Sequence, residues 1–325
     1  MNKQIEQYAK LILDGRLLER DQIDTLSKLS HDHFDDLLYW ANEIRKANFG
    51  NTVKMCSIVP GRLGGCSQDC AFCAQSVHYD TAVDKTPKTL SDEEIMAAAK
   101  EAQKNGVPNF GIVTSGRKVS DAELDRFIAL TERIKNELGM GVCMSLGILS
   151  EENMQRLADA GVVRFNHNLE TSERHFPDIV STHKYEDRVK TIEAGLKAGM
   201  GICAGGIFGI GETEADRIDM ALELRRLGVD MVPMNFLHPI EGTPLGTAEK
   251  LPPREILRIV GLYRFILPKT HLKVAGGRVL NLRDLQSWIF YAGCTAILSG
   301  NYLTTAGRSV EDDLQMLKDL GLETI

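Results

Sequence analysis

The chain has 325 residues, 43% of them apolar and 26% charged, and carries a net charge of −7 at pH 7. An acidic balance without any basic block argues against nucleic acid or an anionic membrane as partner, and no apolar run approaches the roughly 18 residues of a membrane span. Residues 1–25 alternate charged and apolar positions without a signal-peptide core or cleavage site, so a reducing, cytoplasmic setting is expected in which the seven cysteines act as thiols or metal ligands.

Residues 1–45 place Ile5, Tyr8, Leu11 and Ile12 at helical spacing, which predicts an N-terminal helical extension covering the bottom of whatever follows. From about residue 50, short β-branched or apolar runs alternate with amphipathic stretches, the pattern of a βα repeat. Strands are predicted at 53–59, 109–114, 141–147, 162–166, 201–206, 231–236, 272–275 and 296–298. Eight such strands close a (β/α)8 barrel of the TIM type. Helix starts are announced by a Ser or Thr with an acid three residues on: Ser91 with Glu94, Ser120 with Glu123, Thr213 with Asp216, Ser309 with Asp312. No linker rich in Gly, Ser or Pro interrupts the pattern, so 46–325 reads as one barrel domain with a C-terminal tail.

Cys66, Cys70 and Cys73 fall in GGCSQDCAFCAQS, directly after the first predicted strand, where barrels of this kind carry reactive groups. Three thiolates so spaced suit three corners of a [4Fe-4S] cube and leave one iron open. Disulfide bonding and structural zinc are the alternatives, and His78 is the nearby residue that would complete a zinc site. Cys56, Cys143 (GVCMSLG) and Cys203 (GICAGGIFG) lie in the first, third and fifth predicted strands, where alternation lets them point inward. Ala204, Gly205 and Gly206 leave space there for something bulky, although each thiol read alone is equally a small buried hydrophobe. Cys294, in YAGCTAI, reads as packing.

The CxxxCxxC spacing with Phe72 before the last cysteine resembles the signature of radical S-adenosylmethionine (SAM) enzymes. The resemblance implies that SAM chelates the open iron and that one electron splits it into methionine and a 5′-deoxyadenosyl radical, chemistry that side chains cannot perform unaided. RFNHNLETS (164–172), GGIFGIGET (205–213), MNFLHPIEGTPL (234–245), AGGR (275–278) and LTTAG (303–307) resemble, in order and spacing, the biotin synthase family. That family inserts sulfur into dethiobiotin, drawing it from an auxiliary iron–sulfur cluster. Carried over residue by residue, the resemblance implies that Asn168 and Glu170 hold the SAM ribose hydroxyls, Glu170 being one methylene longer than the usual Asp. Arg188, in HKYEDR, falls where an arginine pairs with the SAM carboxylate. Backbone of Thr114, Ser115 and Gly116 would meet the amino group, and Ile207, Phe208 and Gly209 the adenine. Asn166, Asn168 and Asn235 match positions for the substrate's ureido ring, while His167 is expected to be structural. A flavodoxin or ferredoxin-type electron donor and a homodimer are implied as well.

At the auxiliary site the chain departs from the familiar family pattern of a [2Fe-2S] cluster held by three Cys and an Arg. Cys143 and Cys203 match two of those cysteines, but Gly111 stands at the third position and Lys273 at the arginine's. Cys56 on the first strand restores the thiol number to three, as in a form of the enzyme from anaerobes that resembles this chain and whose auxiliary centre holds four irons and an extra sulfide. The expected ligands are Cys56, Cys143 and Cys203, with Lys273 either ligating as a neutral amine or donating to the sulfide as an ammonium. Two other functions stay open at this point: a radical SAM enzyme acting on another small molecule or a lipoyl-type chain, and an iron–sulfur scaffold without SAM cleavage.

Overall fold

Three helices open the chain in the computed structural model, which describes residues 1–300 and 307–325. They are α1 (Lys3–Leu13), α2 (Arg20–Asp32) and α3 (Phe34–Phe49). Asn2 caps α1 by accepting from Gln4 N at 2.9 Å, and the helix buries Ile5, Tyr8, Ala9 and Ile12. The main run then alternates strands and helices: β1 (Thr52–Leu63), β2 (Lys88–Thr89), α4 (Asp92–Lys104), β3 (Asn109–Thr114), α5 (Asp121–Leu138), β4 (Gly141–Ser145), α6 (Glu151–Asp159), β5 (Val162–Asn166), α7 (Phe176–Ile179) and α8 (Tyr185–Lys197). It continues with β6 (Gly201–Cys203), β7 (Gly206–Phe208), α9 (Glu214–Leu227), β8 (Met231–Phe236), α10 (Pro253–Ile266), β9 (His271–Val274), α11 (Arg278–Leu282), α12 (Trp288–Tyr291), β10 (Ala296–Leu298), α13 (Val310–Asp319) and β11 (Glu323–Thr324).

The parallel strands run β1-β3-β4-β5-β6-β8-β9-β10, and β10 pairs back with β1 through Lys54–Ala296 and Cys56–Leu298, so the barrel closes. The capping pairs form as the local rule requires: Ser91 Oγ accepts from Glu94 N while its own N–H donates to the Glu94 carboxylate at 2.7 Å, and Ser120–Glu123 and Thr213–Asp216 repeat the arrangement. Ser309 takes the Asp312 N–H at 3.1 Å. Helix α3 lies against α10 across the barrel base, and β11 extends the start of β1, pairing Thr52 with Glu323. Residues 303–306 of the LTTAG motif lie outside the described residues.

Two predicted strands are corrected. The run 201–206 splits into β6 and β7 around Ala204 and Gly205, because the Gly205 carbonyl leaves the ladder to accept from Leu169 N (2.9 Å) and Glu170 N (3.1 Å). Pro233, which has no N–H to offer, sits opposite the gap on β8. The approach is so close that a Cβ on Gly205 would lie 2.0 Å from the Pro233 carbonyl oxygen. Gly205→Ala is therefore expected to destabilise the fold by about 3 kcal/mol. An unchanged urea midpoint would contradict that tight gap. The predicted strand 141–147 likewise stops at Ser145, since Gly147 turns at φ +81° and Ile148 N bonds the Arg117 carbonyl at 2.8 Å.

Candidate active site

The loop after β1 is bound down from both sides. Cys73 N donates to the Cys70 carbonyl (2.9 Å), Val77 N to the Cys66 carbonyl (2.9 Å), and Ala71 N reaches across to the Ile179 carbonyl (3.0 Å). Asp69 accepts from the backbone N–H of Ser181 (3.0 Å) and Thr182 (3.1 Å) and from both hydroxyls, so its pKa is held far below the carboxylate range, the hydrogen bonds outweighing partial burial. Cys66, Cys70 and Cys73 all line one cavity of about 290 Å³ at the C-terminal end of the barrel. Burial pushes the Cys70 thiol up to about 12 and raises that of Cys73, so a metal that takes them as thiolates releases protons. Among the described residues no three metal-donor side chains converge tightly enough for a single ion. Three soft thiols spread round a cavity suit instead a cube that takes one thiolate at each of three irons. His78, the residue a zinc site would have needed, turns to the Ser67 carbonyl at 3.1 Å.

The opposite wall is polar. Arg188 Nη1 donates to the Asn168 carbonyl (2.9 Å) and to Glu170 Oε1 (3.3 Å), its Nε donates to His183 Nε2 (3.0 Å), and its guanidinium lies 5.6 Å from the Phe176 ring centre. Asn168 Nδ2 donates to the other Glu170 oxygen at 3.3 Å. Burial raises the Glu170 pKa, against the pull of Arg188 and Asn168. Glu170 holds φ +72°, rare for a side-chain-bearing residue, and is fixed there by its own N–H to Gly205 and by Ile207 N donating to its carbonyl (2.8 Å). Phe72, Thr114, Ser115, Gly116 and Asn166 also line the cavity. Arg62 sets the 114–116 turn by donating from Nε to the Ser115 carbonyl at 3.1 Å while pairing with Glu123. Gln68, Asp69, His183 and Arg62 were not singled out from sequence. Their signal lies in contacts between distant segments.

Four expected residues stand apart from this lining. Phe208 is fully buried against Phe236 and Tyr263, and its carbonyl accepts from Leu237 N at 2.9 Å. Ile207 packs in a small apolar cluster with Phe72 and Cys70 beside the loop. Gly209 N donates to Glu212 (2.9 Å), which Arg217 holds at 2.8 Å. Asn235 uses its amide to join neighbouring strands, donating to the Gly206 carbonyl (3.2 Å) and accepting from Gly276 N (2.8 Å). His167, expected to be structural, is buried, lines the cavity and has a pKa well below its ordinary value through burial and the nearby Arg188.

Deeper in the barrel the other thiols face one another. Cys143 on β4 pairs with Gly111 on one side and Arg164 on the other, Cys203 follows on β6, and Cys56 packs against Cys203, Ala275 and Ala296. All three are buried and free, and burial carries the Cys143 thiol to about 12. Lys273 is buried among them. Burial opposes its charge, but the facing sulfurs and a hydrogen bond with Cys203 outweigh it, so its pKa rises. Arg164, unremarked in the sequence, brings Nη1 to 4.0 Å from Cys143 Sγ, and its buried Nε has no partner among the described residues. Gly111 is explained by its neighbour: a Cβ there would meet Ile58 Cγ2 at 3.0 Å, and Ile58 lies two residues beyond Cys56 on the same strand. Cys294 is fully buried in the main core, as expected for packing.

A family model described as the radical SAM superfamily matches residues 62–224, and one described as the biotin and thiamin synthesis associated domain matches 233–323. The chain is 47% identical to the biotin synthase of Heliobacterium modesticaldum over 322 residues, covering 99% of this chain and 98% of that protein. To the biotin synthase of Geobacter sulfurreducens it is 45% identical over 318 residues, covering 98% and 96%. Among solved structures, methylornithine synthase superposes with a TM-score of 0.84 at 20% identity over 98% of this chain and 97% of that one. The hydrogenase maturase of Carboxydothermus hydrogenoformans gives 0.81 at 17% over 99% and 79%, a likeness of fold alone. With the fold shared so widely, it is the full-length identity to the first group that decides: the chain belongs to the biotin synthase family.

Proposed function

We propose that this chain converts dethiobiotin to biotin by radical SAM sulfur insertion. The observation that carries the reading is the presence of two thiol sets in one barrel, the loop thiols Cys66, Cys70 and Cys73 at its mouth and Cys56, Cys143 and Cys203 within it. Bound there, a [4Fe-4S] cube with SAM supplies a radical able to take hydrogen from an unactivated C–H bond, and an auxiliary iron–sulfur centre supplies the sulfur.

The protein's part is to position and to exclude. Arg188, held by His183 and Asn168, offers its remaining Nη2 N–H groups to the SAM carboxylate. Glu170 and Asn168 accept from and donate to the ribose hydroxyls, which replace the bond these two residues make with each other. Thr114, Ser115 and Gly116 present backbone to the amino group, and Ile207 and Gly209 present theirs to the adenine. Asn166 and Asn168 face the ureido ring, joined by the unused lone pair and N–H of Asn235. Lys273 serves as an ammonium that donates to the auxiliary sulfur rather than ligating iron, with Arg164 as a second cation beside Cys143. Residues 1–45 form an extension to the catalytic barrel of 46–325, the active form is a homodimer, and a flavodoxin or ferredoxin-type protein delivers electrons. No helix among the described residues is long and apolar enough to cross a membrane.

The test is anaerobic: iron- and sulfide-loaded protein, SAM, a reductant and dethiobiotin. Biotin and 5′-deoxyadenosine are the expected products. SAM cleavage only with another substrate, such as an octanoyl chain, would replace this reading, and no cleavage at all would leave a scaffold.

A further inference from the structure

The cysteine loop and the Arg188 guanidinium are bridged by His183. His183 lies between Gln68 and Arg188, its Nδ1 2.8 Å from Gln68 Oε1 and its Nε2 3.0 Å from Arg188 Nε, with Phe176 edge-on at 5.6 Å. His183, Gln68 and Arg188 are each at most 8% exposed. A guanidinium has no acceptor, so Nε2 must accept and the proton must sit on Nδ1. Nδ1–H then donates, and the Gln68 oxygen is the group that faces it. The orientation of the Gln68–His183–Arg188 chain is thus set by a single tautomer. Burial and the charge of Arg188 depress the His183 pKa to about 4, so the ring stays neutral and keeps its acceptor.

We infer that His183 is a positioning residue: as the Nδ1–H tautomer it fixes Arg188 to the loop between Cys66 and Cys70, aiming the guanidinium at the carboxylate of the SAM chelated there. The inference rests on the reading that Arg188 binds that carboxylate. With Nε spent on His183 and Nη1 on Asn168 and Glu170, Nη2 is the edge turned to the ligand. Releasing Nε lets the fork rotate away from the cluster while the loop keeps its own backbone bonds and its Asp69 anchor.

The test measures SAM binding to anaerobic, iron-loaded protein by equilibrium ultrafiltration, with iron content and Tm read alongside. His183→Leu removes the acceptor and is expected to weaken SAM about 10-fold, a loss of about 1.4 kcal/mol. His183→Gln, whose amide oxygen reaches the Nε2 position, should stay within about 3-fold of wild type. Both should retain wild-type iron. Gln68→Leu breaks the chain from the other end, and combined with His183→Leu it should add nothing to the single loss. Equal binding by the Leu and Gln variants, additive losses, or weakening that follows iron loss or Tm would each overturn the inference. Arg188→Met is the control for the underlying reading: wild-type affinity there would remove the carboxylate partner itself, whereas a loss there with none at His183→Leu would defeat only the relay.

Discussion

Cys56→Ala is expected to remove the auxiliary centre while leaving SAM cleavage in place. Among the described residues, the barrel interior gathers thiols only at 56, 143 and 203, and two cations, Lys273 and Arg164, stand beside them. Taking away Cys56 leaves two thiols for a polynuclear centre, and neither Lys273 nor Arg164 offers an anionic donor in its place. Loss of an outer-shell partner alone typically costs a metal site 10–100-fold, and loss of a ligand more, so biotin formation should fall by at least about 100-fold. The loop thiols lie in a separate cavity wall, and 5′-deoxyadenosine should still appear on reduction. Iron and sulfide analysis with Mössbauer spectra decides the matter. Unchanged iron and sulfide in the variant would show that Cys56 holds nothing.

Arg188→Met should have the second large effect, and on two observables. Arg188 and Glu170 are both at least nine-tenths buried, so removing the cation strands a carboxylate in a dry wall, a change that typically costs about 3–5 kcal/mol. SAM affinity should fall by about 100-fold or more through the lost fork. The pH dependence has a definite sign. Burial already raises the Glu170 pKa above the ordinary 4.5, and without Arg188 it rises further. A carboxyl whose folded pKa exceeds its unfolded one keeps its full contribution below the unfolded value and loses it as pH climbs through the folded value. The variant's deficit should therefore widen from pH 5 to pH 8. Adding Glu170→Gln should restore stability across that range without restoring SAM binding. A deficit that is flat with pH, or a double variant no more stable than the single one, would contradict this account of the pair.

The strand positions could be read from the chain because each is a short apolar or β-branched run followed by a capped helix, and both signals are local. The interruption at Ala204 and Gly205 was hidden, since the apolar run continues through it and only the contact with Leu169 and Glu170 breaks the ladder. The same divide runs through the site. The loop cysteines announce themselves by their spacing, whereas Arg188 and Glu170 are legible only through the family resemblance, Arg188 by itself reading as a helix-surface ion pair. Gln68 and His183 are 115 positions apart, and Arg164 reads as an ordinary strand residue until Cys143 is seen across the ladder. Asn235 illustrates the converse: its matching position in the family implies ligand binding, yet much of its amide capacity bridges backbone.

The crowding of Ile58 against Gly111 ties three positions of the barrel interior together. A side chain at 111 requires Ile58 to give by a few tenths of an ångström, and Ile58 lies two residues along β1 from Cys56, on the same face of the strand. Moving a thiol between β1 and β3 is therefore a coupled change, because what position 111 can carry depends on what stands at 58.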